Sequence, residues 1–168
     1  MNRLFVKPTP VVEFHVGPGL MALLLILCIP LVSCAGKQPM SLEIPDSVMT
    51  PCPASPNCVS SDASDEDHKV APYQLIMPAD KAWAITRELV LELPRARIVK
   101  ETANRLHVEC RSAIFGFVDD LELHLRPADG IISVRSASRT GYSDFGVNRR
   151  RVEALRASLV ERAVIHQQ

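Results

Sequence analysis

Val118-Asp119-Asp120-Leu121-Glu122-Leu123-His124-Leu125-Arg126, Pro127-Ala128-Asp129-Gly130 and Ile131-Ile132-Ser133-Val134-Arg135-Ser136-Ala137-Ser138 follow one another without a break. The outer two runs alternate apolar with polar residues, the pattern of half-buried strands, and the Asp-Gly pair between them is a strong hairpin signal. Leu121, Leu123 and Leu125 share one face, and Asp120, Glu122 and His124 the other. If Asp129 and Gly130 alone form the turn, Ala128 faces Ile131, so His124 faces Arg135, Glu122 faces Ala137 and Asp120 faces Arg139. On the apolar side the same register sets Leu125 against Val134, Leu123 against Ser136 and Leu121 against Ser138. A bulged three-residue turn shifts every pair by one position.

Upstream, residues 97–101 form a first strand with Asn104 in the turn after it, and Leu106, Val108 and Cys110 alternate with Arg105, His107, Glu109 and Arg111 in a second. Residues 73–77 are a short strand candidate. Pro78 then stands where a first helical turn accepts proline, and Ala82, Ile85, Thr86, Leu89 and Leu93 recur at helical spacing until Pro94 ends the run. Trp83 beside that stripe belongs with the core. After Gly146 a last helix carries Val152, Leu155, Leu159 and Ala163 on one side, with Asp144 or Asn148 capping its start. These elements predict an α+β domain: an antiparallel sheet of about four or five strands, two helices packed on one face, and the charges on the other.

The N-terminal part has a different character. Arg3 and Lys7 precede the apolar run from Leu20 to Leu31, and Leu31-Val32-Ser33-Cys34-Ala35 follows at once. Twelve residues is short for a bilayer span and suits the apolar part of a secretory signal. The order of basic residues, apolar run, small residue and cysteine resembles a bacterial lipobox. It predicts a lipoprotein signal over 1–33, a lipid on Cys34, a proline-containing tether over 34–50 and a single domain over 51–168. The expected location is the bacterial cell envelope, facing the periplasm on a lipid anchor, with Ala35 resembling the outer-membrane sorting pattern.

An oxidising compartment favours disulfide formation among Cys52, Cys58 and Cys110. Cys52 with Cys58 is the local and expected pairing, leaving Cys110 packed on the apolar face with Leu106 and Val108, and Cys58 with Cys110 is the competing one. A zinc site is disfavoured because the cysteine spacing forms no knuckle and has no second pair. The acidic run Asp62, Asp65, Glu66 and Asp67 before His68 lacks the glycine and final glutamate of a calcium loop and reads as a solvated turn. No metal or other cofactor is expected.

Of 168 residues, 19 are basic and 19 acidic, and outside 1–33 the balance is 17 against 18. That disfavours a nucleic-acid partner. The densest polar chemistry runs from Arg135 to Arg151. With Asp119 and Glu122, the residues Arg111, Asp120, Arg135, Ser136, Ser138, Arg139, Asp144, Asn148 and Arg149 are expected to gather where the hairpin's open end meets the last loop. Two readings stay open. Arginine forks and helix-start amides would hold an anionic small molecule or envelope component. Alternatively the groups satisfy one another, with Asp120 pairing Arg139 and Asp144 capping the helix. Asp119 and Asp120 point to opposite faces of a strand and cannot form one acid–base pair without a bulge. No nucleophile elbow, paired metal-spaced histidines or phosphate-cradling glycine loop is present.

Three blocks, Ser55-Pro56-Asn57-Cys58-Val59-Ser60-Ser61, Phe117-Val118-Asp119-Asp120-Leu121-Glu122 and Arg135 through Arg149, together resemble the domain-of-unknown-function family 1499. The family occurs in bacterial lipoproteins and membrane proteins and in some photosynthetic eukaryotes, and the likeness runs from about Pro51 to the C-terminus. It implies no agreed activity and supplies no catalytic residues. The expected function is a membrane-tethered binding or assembly module, with a hydrolytic or metal-assisted enzyme acting on an anionic envelope substrate as the alternative.

Overall fold

The computed structural model describes residues 49–167. The signal, Cys34 and nearly all of the tether lie outside those residues. The elements in chain order are β1 (Cys58–Ser60), β2 (Tyr73–Gln74), α1 (Ala79–Glu92), β3 (Ala96–Glu101), β4 (Arg105–Arg111), β5 (Val118–Arg126), β6 (Ile131–Ser138) and α2 (Val147–Glu161). They form the expected α+β domain, with six strands rather than four or five, in the order β1-β6-β5-β4-β3 and with β2 also on β6. The added strand is β1, which shares the free edge of β6 with β2: Cys58 faces Ala137, and Tyr73 faces Ile132. At three residues it is too short to show periodicity among prolines and cysteines.

The hairpin register differs from both sequence expectations. Arg126 faces Ile131, so four residues make the turn: Pro127–Asp129 form a single 3₁₀ turn and Gly130 closes it at φ 64°. In the two-residue register Pro127 would stand within the strand with no N–H to give the ladder, whereas its fixed φ suits the first position of a 3₁₀ turn. Every pair is thereby displaced by two positions from the two-residue register. Glu122 faces Arg135, Asp120 faces Ala137, Leu123 faces Val134 and Leu121 faces Ser136. A displacement of two leaves each side chain on its own face, so the division into apolar and polar sides survives.

On the apolar side Leu106, Val108, Leu121, Leu123, Ile132 and Val134 are buried under Ala82, Leu89 and Val90 of α1 and Val152, Leu155 and Leu159 of α2. Trp83 is in this core, and Pro78 flanks α1 one residue before its first turn. α2 stops at Glu161, so Ala163 does not extend its apolar stripe. Ala163 turns outward at φ 52°, and Val164 and Ile165 are buried in its stead. The ring of Tyr73, which burial holds un-ionised by raising its pKa, donates from its hydroxyl to the Val152 carbonyl at 2.9 Å. Arg156 lies 4.8 Å from the ring centroid and donates to the Ala71 and Pro72 carbonyls, pinning the β2 segment to α2.

Cys52 and Cys58 are joined, and Cys110 is a free, buried thiol whose pKa burial raises. The bridge ties the residues before β1 to the sheet edge. Replacing both cysteines by serine is expected to lower stability by about 2 kcal/mol, by the entropy of so short a loop. The check is a shift of the denaturant midpoint, with Cys110 in the parent resisting thiol reagents until the protein unfolds.

Candidate functional site

The residues expected to gather at one place divide among three. Arg111, Asp120, Arg135 and Arg139 lie on the helix-free face of the sheet. Ser138, Asp144 and Asn148 lie on the other side, beneath the start of α2. Arg149 stands apart, donating at 2.8 Å to the carbonyls of Asp67 and Lys69 and so holding the acidic loop.

On the helix-free face, alternation along β4 and β5 places Glu109 directly opposite Asp120, and both are almost fully buried. Two like charges facing each other in a sheet repel, so this pair requires a cation. Arg139, one residue beyond β6, supplies it: Nε donates to Asp120 Oδ2 at 2.8 Å, and Nη2 donates to Asp120 Oδ1 at 2.7 Å and Glu109 Oε1 at 2.9 Å. His107 Nε2 lies 2.6 Å from Asp120 Oδ1, and Arg97 and Arg111 donate to Glu109 Oε2. Burial pushes the Asp120 carboxyl up, but the Arg139 fork and His107 outweigh it and hold it down at about 2. The Asp120 side chain in turn raises the Arg139 guanidinium.

One row further along, Arg135 donates from Nη1 to Glu122 Oε1 at 2.8 Å, while its Nε is buried without a partner. A cavity of about 230 Å³ opens here, lined by Thr50, Asp120, Glu122, Arg135, Ala137 and Arg139 among others.

Beneath α2, Asn148 is fully buried and uses both ends of its amide. Its Oδ1 accepts from Ser136 Oγ and from Arg151 Nη1, each at 2.6 Å. Its Nδ2 donates to the Asn57 carbonyl, Ser138 Oγ and Asp144 Oδ2 between 2.9 and 3.1 Å. Asp144, rather than Asn148, serves the helix start: its carboxylate accepts from the backbone N–H groups of Gly146 and Asn148. Burial opposes the charge of Asp144, but those donors prevail and its pKa is lowered. Arg151 continues to Asp119 Oδ2 at 2.6 Å, which places Asp119 on the helix side and Asp120 on the other.

Sequence reasoning passed over Glu109 and His107. Alternation in β4 puts them on the face of Arg111, but the six residues between β4 and β5 set the pairing to Asp120 and carry no register signal. In the acidic loop, Asp65 accepts from the backbone and ring of His68, and Asp62 pairs with Arg126. Among the described residues no group of three His, Cys, Asp or Glu side chains is placed to hold a metal ion. Among them, too, no helix is long and apolar enough to cross a membrane. Tyr142 and Phe145 are 76% and 89% exposed and stand clear of the core.

A family model described as protein of unknown function (DUF1499) matches residues 48–159. No curated protein and no solved structure matches the chain.

Two substitutions separate the two polar clusters. Arg139→Ala leaves Glu109 and Asp120 facing each other and is expected to cost about 3–5 kcal/mol. Asn148→Asp keeps the shape of the side chain but sets a carboxylate against Asp144 and removes a donor from Asn57 and Ser138. It is expected to cost about 3 kcal/mol. Both are read from chemical denaturation. Because Asp120 is ionised more readily in the folded protein than its ordinary value of 3.8, the stability it contributes is complete above about pH 4. That contribution drains away as pH falls through about 2, and acid titration of the Asp120→Asn variant should lack this component.

Proposed function

The chain belongs to the DUF1499 family, and from that premise we propose that it is an envelope lipoprotein whose domain is a binding module rather than a catalyst. In this reading lipid on Cys34 holds the protein at the membrane, in the outer membrane by the residue after it, with the domain in the periplasm. Two features support the setting: the ordered signal that ends in Cys34, and a Cys52–Cys58 disulfide suited to an oxidising compartment.

The observation that carries the binding reading is the buried, partnerless Nε of Arg135 beside the 230 Å³ cavity on the helix-free face. A guanidinium edge without an acceptor is costly in a protein interior and is ready to receive one from a ligand. The ligand class that fits is a small anion or the anionic group of an envelope component. The neighbouring acids favour binding over turnover. Asp120 is already held by Arg139 and His107 with its pKa pushed down to about 2, far from the value a general acid or base needs near neutral pH.

Thermal unfolding of the full chain in phosphate or sulfate tests the site. The melting temperature is expected to rise with anion concentration beyond the effect of sodium chloride at equal ionic strength, as linkage requires. Arg135→Gln should remove that rise while leaving the Arg139 clamp in place. A flat response in the parent would leave the cluster as scaffold alone. Metabolic labelling with palmitate, comparing the parent with Cys34→Ala, tests the anchor independently, and equal label in both would overturn it.

A further inference from the structure

The end of the sheet where β4 passes to β5 and β6 leads into α2 displays apolar side chains in an unusual way. Ile114 and Phe115 in the first loop are 85% and 75% exposed, and Tyr142 and Phe145 in the second are 76% and 89% exposed. Phe117 packs against Phe115 in a tilted pair, ring centroids 5.6 Å apart. The two loops lie side by side, because Cys110, Asp119 and Ser138 are cross-strand neighbours and the Arg139 N–H donates to the Val118 carbonyl. Beside them, walled by Leu93, Pro94 and Arg95 before β3, by Arg111 at the end of β4 and by Val147 and Arg150 at the start of α2, opens a cavity of about 290 Å³.

The charge at this end is one-sided. Arg95, Arg111 and Arg150 are exposed, whereas the acids nearby are turned inward: Asp144 serves the start of α2, Asp119 is held by Arg151, and the buried Glu109 is shared by Arg139 and Arg111. Glu92 faces Arg162 at 3.6 Å. Protruding aromatic and branched side chains ringed by arginine match a bilayer interface carrying anionic lipid. There the apolar tips enter the headgroup boundary and the guanidiniums meet phosphates. A second copy packed symmetrically on the same end would set arginine against arginine, which disfavours self-association.

We infer that this end of the domain, formed by the 111–117 and 139–150 loops, docks on an anionic membrane surface, with a phospholipid headgroup at the arginine-rimmed cavity. Docking at this end does not require the anion site at Arg135 and is independent of the anchor at Cys34.

The test uses the full chain with vesicles of brominated phosphatidylglycerol or brominated phosphatidylcholine, and an indole placed by Phe115→Trp, Phe145→Trp or Ile76→Trp. Ile76 is 44% exposed beside β2 at the opposite end of the sheet, and the signal of the buried Trp83 is subtracted using the parent. On anionic vesicles both loop indoles are expected to shift to shorter wavelength and lose at least half their emission, while the Ile76→Trp indole is unchanged. On neutral vesicles none should be quenched, even if the N-terminal segment carries the chain into the floating lipid fraction, so anchoring and docking are distinguished. Adding Arg95→Gln and Arg150→Gln should weaken the quenching roughly tenfold or more in lipid titrations; because each guanidinium also donates to a backbone carbonyl, of Arg111 and Phe145, the comparison is made well below the variant's melting temperature. Unquenched loop indoles on anionic vesicles, or equal quenching at Ile76→Trp, would overturn the proposal. So would a loop-indole shift that needs no lipid and grows with protein concentration, which would identify a second copy as the partner.

Discussion

Glu109 and Asp120 stand directly opposite each other on β4 and β5, each almost fully buried, and the helix-free half of the sheet depends on how that repulsion is relieved. Arg139 relieves it with one guanidinium that reaches both carboxylates, a task suited to a planar fork and poorly suited to an ammonium. Because Arg139 lies just past the end of β6, the clamp also fixes where that strand stops and where the chain turns toward α2. Hydrogen bonding to Asp120 therefore links β4, β5 and the last loop. The same arrangement keeps the carboxylate ionised far below neutral pH, so it is a structural charge at every physiological pH.

On the other side of the sheet the corresponding role falls to Asn148. One buried amide connects α2 to Ser136 and Ser138 on β6, to the Asn57 carbonyl just before β1, and to Asp144 in the loop. A side chain with two donors and an acceptor oxygen suits such a junction, since each neighbour offers a complementary group and none is left unpaired in a dry environment. The disulfide and the Asn57 bonds together hold the short, fully buried β1 strand against β6.

The consequence is an inversion of the usual surface. Arg139, Glu109 and Asp120 are folded inward and neutralise one another, while phenylalanine, isoleucine and tyrosine project from two loops at one end. Loops are ordinarily polar because their backbone faces water, so apolar tips on them speak of contact rather than folding. The rigidity contributed by the two polar clusters is what holds those loops beside each other. The unpartnered Arg135 edge on the open face and the apolar tips at the loop end are thus separate features of one framework.

The division into apolar and polar faces was legible in the residues themselves, because alternation every second position needs no knowledge of partners. So were both helices, the hairpin and the local cysteine pairing, each set by spacing within a few residues. The turn length was not. Pro127 drew the chain into a four-residue turn, and pairs moved by two places, so Glu122 rather than His124 came to face Arg135. Arg139 still reached Asp120 because a long guanidinium spans a diagonal neighbour as readily as a direct one. Only the tertiary structure separated Arg139 from Asn148 and Arg149, since residues close in sequence diverge when a strand, a glycine-containing loop and a helix succeed one another. Only it, too, brought Glu109 opposite Asp120. Cross-strand pairing depends on how a loop closes, and no local pattern of side chains encodes that distance.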